Sequence, residues 1–481
     1  MENTIKKIKK TNEIADYLII GNSAAGLSAA SAIRTIDKTG SILVLTNEQY
    51  KNYSKPLITY LLAGKIGLDN IYFKDDRFYE ENNILLKSEI NVKKINFKDK
   101  MVISDKGISF KYNKLLLANG GSPIIPKIRI VEADDFIEDF KNKNINIKVE
   151  EEIITQEMPD STNYKNISGI FTFTCLQDAL QIQKYIIENK IKEAVILGGG
   201  LIGLKSAEAL LEIGIKVSII ELSDRLLSAT FDKYASSVIE NEMKNNQSNI
   251  YTNNTINKIS VKNNKLVGIE LKNKEKINTK LLIIAVGVVP DLRILKESEM
   301  ENEQIKYGRG IFTDEYMQTN IKDVYAAGDV VESLDFITGN KANIAIWPLA
   351  VRQGEIAGIN MAGGNKTYSG GYFMNSIEIL DIPSISIGLT NPADNNGGSI
   401  EIIKDFKPER KFYKKIVILE GKIIGLILVG NIDRAGIYGG LIKNEIDVSS
   451  IKENLIKENF GIIQLPSDYK KHLVVGDGIE V

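Results

Sequence analysis

Two short glycine-rich runs carry the clearest chemical signal in this sequence. Gly198-Gly199-Gly200-Leu201-Ile202-Gly203 follows the apolar run Ala194 to Leu197, opens an alanine-bearing stretch, and is answered by Glu221 at the end of the next apolar run. A pyrophosphate asks for this spacing. Gly198 permits the tight turn, Gly200 lets the phosphates approach the backbone, and Gly203 allows close helix packing. Leu201 and Ile202 begin the helix, whose unpaired N–H groups and partial positive charge suit phosphate oxygens. Glu221 is placed to accept from the adenosine ribose hydroxyls, and its charge repels a 2′-phosphate. NADH is therefore expected over NADPH, with Arg225 close enough in sequence to soften the repulsion.

The second run, Gly21-Asn22-Ser23-Ala24-Ala25-Gly26, is less regular. Ser23 takes the second glycine position and Thr46 the usual acidic one. Serine fits there if its φ is negative. Glu48 could reach the ribose, or Thr46 could bind it neutrally, and a glycine turn with a purely structural role is the plain alternative. The chain has one cysteine, Cys175, and one histidine, His472. An internal disulfide, a redox dithiol and an iron-sulfur cluster ligated within the chain are thus excluded, and a His-based metal site or catalytic triad would lack parts. No metal is expected, and electron chemistry has to come from a bound cofactor.

These loops need strands and helices to hold them. Tyr17 to Ile20, Leu27 to Ile36 and Ser41 to Leu45 read as one βαβ unit; Ala194 to Leu197, Leu204 to Gly214 and Lys216 to Glu221 read as another. Both imply parallel sheets with right-handed crossovers, hence two Rossmann-like doubly wound nucleotide-binding domains in an α/β chain. Lys258 to Val261, Leu266 to Leu271 and Leu281 to Val286 read as a meander. After Gly370 the texture becomes α+β, with strands at Ser376 to Leu380, Ile385 to Ile387, Lys414 to Leu419 and Ile423 to Val429, and helices at Ala435 to Lys443 and Ser450 to Glu458. Ile130 to Asn166 is rich in Asp, Glu, Lys and Asn and reads as a surface insertion, or as a docking element for an electron acceptor.

At 481 residues the chain is too long for one core, and about 150 residues per domain gives roughly three. An apolar fraction of 43% and a charged fraction of 26% are those of an ordinary globular protein. Lys plus Arg (61) nearly cancels Asp plus Glu (62), so neither nucleic acid nor a membrane surface is an expected partner. Lys6, Lys7, Lys9 and Lys10 before the apolar Tyr17 to Ile20 run imitate a signal peptide, but the small residues after them fit the phosphate loop equally well. The longest apolar run, Leu281 to Pro290, falls short of the roughly 20 residues that span a bilayer. A reducing cytoplasm is the expected home.

Further motifs, in order, make the chain resemble the FAD-dependent pyridine nucleotide-disulfide oxidoreductase superfamily, in its NADH oxidase, rubredoxin reductase and nitrite reductase flavoprotein-subunit branch. They are Leu115 to Pro123 (L-L-L-A-N-G-G-S-P), Thr319 to Asp329 (T-N-I-K-D-V-Y-A-A-G-D), and Trp347-Pro348-Leu349-Ala350 followed by Gln353-Gly354. The resemblance implies a discontinuous FAD-binding domain at 1–125 and 285–368, the insertion at 126–166, an NAD(H)-binding domain at 167–284, and a C-terminal α+β interface domain at 369–481 that mediates a homodimer. It places Gly21, Ser23, Ala24, Ala25, Gly26, Glu48, Lys55, Pro56, Ala118, Gly120, Gly328, Asp329, Pro348 and Ala350 around FAD, with Asp329 on the ribityl chain. Gly287 joins the Gly198 loop around NAD. Tyr53 to Pro56 is similar to the branch's Tyr-x-Arg-Pro segment, which makes Lys55 a cation near the flavin or, alternatively, a solvated lysine. Lys205 stands where many relatives carry a glutamate facing the flavin, and Glu208 is spaced to pair with it; Lys55 and Lys205 are the catalytic residues that the resemblance implies. The segment Tyr53 to Tyr60 lacks the redox cysteine of the disulfide-reducing members, and Cys175 reads as a packing residue. The expected activity is hydride transfer from NADH to FAD, then electron transfer to a small carrier such as rubredoxin, a ferredoxin-like protein or a nitrite reductase partner. The alternatives are a dioxygen-using NADH oxidase and a non-catalytic redox sensor or assembly factor.

Overall fold

A computed structural model describes residues 14–75, 77–133, 164–298, 304–392 and 400–466. The chain forms two compact units, one of residues 1–54, 68–122 and 288–373, the other of 55–67, 123–287 and 374–481.

The first unit is built on the strand β1 (Ile14–Ile20), the helix α1 (Ala24–Ile36) and the strands β2 (Ile42–Leu45), β3 (Ile84–Lys87) and β4 (Ser109–Leu117). The four strands run parallel in the order β3-β2-β1-β4. This is the doubly wound order, with the first strand near the middle. Leu18 and Ile19, neighbours that point to opposite faces, are both fully buried, as is Val44, so both faces of the sheet are covered and these strands read as unbroken apolar runs. Each such side chain contributes about 1.5–3 kcal/mol of burial. The outer half of β4 pairs with Val324–Ala326, which delivers the chain to the Gly328 turn. The helix Trp347–Met361 lies against α1 so closely that a Cβ on Gly354 would stand 2.1 Å from the Ala25 carbonyl oxygen.

The second unit repeats the plan. It holds β5 (Ile170–Thr172), α2 (Leu176–Asn189), β6 (Glu193–Leu197), α3 (Leu201–Glu212), β7 (Lys216–Ile220), α4 (Lys233–Asn245), β8 (Asn249–Tyr251) and β9 (Leu282–Ile284). The parallel order is β8-β7-β6-β9-β5, again third, second, first, fourth, with β5 added at the edge. Leu281 to Val286, expected in the meander, instead supplies β9, since its three apolar residues are buried between β6 and β5. The meander proper is Ile256–Lys262, Lys265–Leu271 and Lys276–Asn278, and Arg129–Glu132 joins it in parallel. The start of the segment read as an insertion is therefore a strand, and the Tyr164 hydroxyl donates to Pro126 O at 2.6 Å near the segment's end. Its interior, 134–163, lies outside the described residues.

The C-terminal part of this unit is an antiparallel sheet of β10 (Met374–Ile379), β11 (Ile382–Gly388), β12 (Ile400–Lys407), β13 (Phe412–Leu419) and β14 (Lys422–Val429), in the order β10-β11-β14-β13-β12. β12 escaped the sequence reading because Glu401, Lys404, Asp405 and Lys407 break its apolar pattern. It is an edge strand, and charge there discourages pairing with other chains. The helix expected at Ser450 to Glu458 is reduced to Lys452–Leu455, where the Lys457 amide turns back to Asn454 O and Phe460 to Lys457 O, three residues each. Among the described residues no helix is long and apolar enough to cross a membrane.

Candidate dinucleotide sites

The two glycine loops have one hydrogen-bond plan. Gly198 N donates to Ile220 O at 2.8 Å and Gly21 N to Leu45 O at 2.9 Å; Ala285 N donates to Leu197 O and Ala118 N to Ile20 O, both at 2.8 Å. Leu204 N reaches Gly200 O, and Leu27 N reaches Ser23 O. Residue for residue, Gly21 therefore matches Gly198, Asn22 matches Gly199, Ser23 matches Gly200, Gly26 matches Gly203, Thr46 matches Glu221, and Ala118 and Gly120 match Ala285 and Gly287. Gly198 has φ +113° and Gly21 φ +120°, and a Cβ on either would collide with the carbonyl of Ala285 or Ala118. Only glycine turns the chain here. Ser23 has φ −125°, extended backbone that any residue adopts, so the missing glycine costs nothing.

Both helices that follow have open N-termini. Neither Ser23 at the head of α1 nor Gly200 at the head of α3 makes a side-chain cap, so the first-turn amides of Ala24, Ala25, Gly26 and of Leu201, Ile202, Gly203 are offered outward. By contrast α4 is closed by Asp232, which accepts from the Tyr234 and Ala235 amides, and α2 by Asp178, which accepts from Thr174 N at 2.7 Å. A Cβ on Gly200 would meet nothing within 4 Å, so the space before that loop is clear for phosphate.

Glu221 is held by its own loop. Its Oε2 accepts from Gly199 N at 2.6 Å and its Oε1 from Ser223 N at 2.7 Å. Arg225 is engaged elsewhere, pairing with Asp224 at 2.6 Å and donating to Phe231 O and Ser228 O at 3.3 and 3.4 Å. In the first loop the matching Thr46 is buried and its hydroxyl accepts from Glu48 N at 3.2 Å, repeating the Glu221 to Ser223 bond without the charge. Glu48 carries its carboxylate to the Tyr53 hydroxyl at 2.7 Å.

Gly328 and Asp329 follow the strand Val324–Ala326. Gln353, fully enclosed in the Trp347–Met361 helix, accepts from Gly328 N at 2.9 Å, and Asn343 donates to Asp329 O at 2.7 Å. The turn is thereby fixed to the helix. Pro348 occupies the first turn of that helix, Ala350 packs beside Gly328, and Trp347 sits edge-on to Phe73 with ring centroids 5.2 Å apart. This helix also lacks a side-chain cap.

Lys55 and Pro56 open a 3-10 turn, Lys55–Leu57, in the segment 55–67 that belongs to the second unit. That segment is tied there by Gln183 donating to Leu61 O at 2.6 Å and by a Lys65–Glu212 ion pair at 2.6 Å. Lys205 ion-pairs with Glu208 one helical turn on, donates to Glu378 O at 3.0 Å and stands over the Tyr60 ring. Glu208 in turn accepts from Leu380 N at 2.7 Å. The pair joins α3 to the β10–β11 hairpin, a structural duty that the spacing alone did not disclose. Cys175 is half-buried at the head of α2. Among the described residues no group of three or more His, Cys, Asp or Glu is arranged to hold a metal ion.

Sequence reasoning missed the polar group behind the first loop: the Tyr79 hydroxyl donates to Asn22 Oδ1 at 2.9 Å. No spacing rule links residues so far apart.

The profile of the pyridine nucleotide-disulphide oxidoreductase family matches residues 15–354, and that of the rubredoxin NAD+ reductase C-terminal domain matches residues 374–446. The chain belongs to the pyridine nucleotide-disulphide oxidoreductase family. Among its relatives, the NADH-dependent phenylglyoxylate dehydrogenase subunit epsilon of Aromatoleum evansii is 30% identical over 92% of this chain and 95% of its own length. The NADH-rubredoxin oxidoreductase of Clostridium acetobutylicum is 28% identical over 91% of this chain and 96% of its own. The crystal structure of the NADH:rubredoxin oxidoreductase from Clostridium acetobutylicum superposes with a TM-score of 0.66 at 25% identity, covering 91% of this chain and 97% of that one. As a member of this family the protein is an NAD(P)H-dependent flavin oxidoreductase, and its two uncapped glycine loops fit the two nucleotides such an enzyme uses.

Proposed function

We propose that the first unit binds FAD through Gly21 to Gly26, Glu48, Ala118, Gly120, Gly328, Asp329, Pro348 and Ala350, and that the Gly198 loop with Glu221 and Gly287 binds NADH. Hydride passes from NADH to the flavin, and the electrons leave directly for a small protein carrier. The observation that carries this reading is the pair of loops with one hydrogen-bond plan in a chain whose segment Tyr53 to Tyr60 has no cysteine and whose Cys175 stands at the head of a helix. A thiol relay has no residue to use there.

Three features support the finer choices. The Glu221 carboxylate, held by a loop amide, is the group that this reading sets against the adenosine ribose, and Arg225 is engaged by Asp224 and two carbonyls, which supports repulsion of a 2′-phosphate. The N-terminus of the Trp347 helix presents a partial positive charge suited to an anionic reduced flavin. Both relatives above are named for work with a protein, one as a subunit and one as a rubredoxin reductase. The proposal includes a homodimer through 369–481 and a cytoplasmic location.

Anaerobic mixing of the FAD-loaded protein with NADH, then with rubredoxin or ferredoxin, tests the reading. Loss of the oxidised flavin colour followed by fast carrier reduction is expected. A flavin that stays oxidised would make the protein a non-catalytic binder, and fast oxygen uptake with little carrier reduction would make it an oxidase.

A further inference from the structure

Two of the matched positions at which the loops differ, Asn22 against Gly199 and Thr46 against Glu221, fit together. In the second loop Gly199 faces Glu221: a Cβ on Gly199 would stand 2.5 Å from Leu226 Cδ2 and 3.0 Å from Glu221 Oε2. No side chain has room. In the first loop the acidic position holds the short Thr46, and the glycine position holds Asn22. Replacement of the glutamate by threonine accompanies space for an asparagine side chain.

The orientation of that side chain is set by a relay. Asn52 N donates to the Tyr79 hydroxyl oxygen at 3.1 Å, so the hydroxyl hydrogen is free to go to Asn22 Oδ1 at 2.9 Å. Asn52, only 1% exposed, is itself fixed by accepting from Lys74 N at 2.8 Å. With Oδ1 committed to Tyr79, the Asn22 amide must present Nδ2 on its other side. That Nδ2 is buried and has no hydrogen-bond partner. A buried amide donor left unpaired costs the fold free energy, and such a cost in a ligand loop is repaid when a ligand supplies the acceptor.

The geometry points to Asn22 Nδ2 as a donor to an oxygen of the AMP half of the bound flavin dinucleotide, with Tyr79 as its positioning residue. This rests on the FAD reading given above for the first loop. It assigns the first loop a side-chain donor in the region where the second loop uses a carboxylate.

The test uses apoprotein freed of flavin and titrated with FAD, following fluorescence quenching, with the melting temperature measured for apo and loaded forms. Asn22→Ala is expected to weaken FAD binding about tenfold or more, the scale of a lost buried hydrogen bond. The apo melting temperature should fall less than that of the FAD-loaded form, since the variant removes the orphan amide while also taking from the Tyr79 hydroxyl its acceptor. Tyr79→Phe keeps the amide but frees its rotation, so it should weaken FAD binding less. The double variant should match Asn22→Ala, because the two residues act as one unit. Unchanged FAD affinity in Asn22→Ala, or equal loss of apo and loaded stability, would overturn the inference. If Asn22→Ala does not fold, unchanged affinity in Tyr79→Phe overturns it instead. Failure of the wild-type protein to take up FAD would defeat the FAD reading itself, a separate outcome.

Discussion

In the proposed function the choice between NADH and NADPH rests on a single side chain, Glu221. Its carboxylate accepts two backbone amides, from Gly199 and Ser223, and so is held in place before any ligand arrives. Glu221→Ser is expected to lower kcat/KM for NADH by about 10-fold or more, the worth of a hydrogen bond to a charged group, and to raise the NADPH to NADH ratio. A ratio that does not rise, in steady-state assays with both nucleotides, would remove this role from Glu221. A second residue-scale test concerns Asp37, which closes the turn from α1 to β2. The Gly40 amide, then the Thr39 amide and the Tyr17 hydroxyl, hold its carboxyl down at about 2 against an ordinary value of 3.8. Because the folded pKa lies below the unfolded one, the contribution is complete above 3.8 and fades as pH falls toward about 2. The urea midpoints of wild type and Asp37→Asn should therefore differ most above pH 4 and converge as the pH approaches 2. A gap that widened on acidification would refute the sign. The glycines of both loops were legible in the sequence because backbone conformation dictates residue type there. Asn22 was not, because its meaning depends on Tyr79, which only the tertiary fold brings to it.

At the scale of elements, α3 is engaged at two places. Its N-terminus carries the Gly198 loop, and its middle is fastened to the β10–β11 hairpin by Lys205 and Glu208, whose side chains are 20% and 8% exposed. Glu208→Ala would strand a largely buried ammonium and the Leu380 amide, at a cost of about 3 kcal/mol in a urea titration. Lys205→Met should lower stability less, and should leave the rate of flavin reduction by NADH within a few-fold of wild type. A hundredfold drop in that rate would return Lys205 to the chemistry. The sequence announced the i, i+3 spacing of this pair but not its partner strand, which lies more than 170 positions away. The same limit explains β12, whose charged edge hides a strand pattern, and β9, whose apolar run suits a meander or a parallel sheet equally until its neighbours are known.

On the scale of the whole molecule, the repeated doubly wound plan was readable from two βαβ signatures, because unbroken apolar strands alternating with helices admit few topologies. The assignment of 55–67 and 374–481 to the second unit was not readable. It depends on side chains such as Tyr413 and the 5% exposed Lys415, both of which reach Asp232 at the head of α4, at 2.6 and 3.1 Å. Burial alone would push the Asp232 carboxyl up, but the Tyr413 hydroxyl, the Ala235 amide and Lys415 hold it below its ordinary value. The central claim about the molecule is that electrons leave directly from the flavin with no thiol in between. The number of NADH equivalents consumed per flavin tests it most directly. An anaerobic titration followed by absorbance should end at one equivalent per flavin, in the wild type and in Cys175→Ser alike. An end point at two equivalents that falls to one in Cys175→Ser would show an oxidised Cys175, as a sulfenic acid or mixed disulfide, taking the second pair of electrons, and would contradict the account.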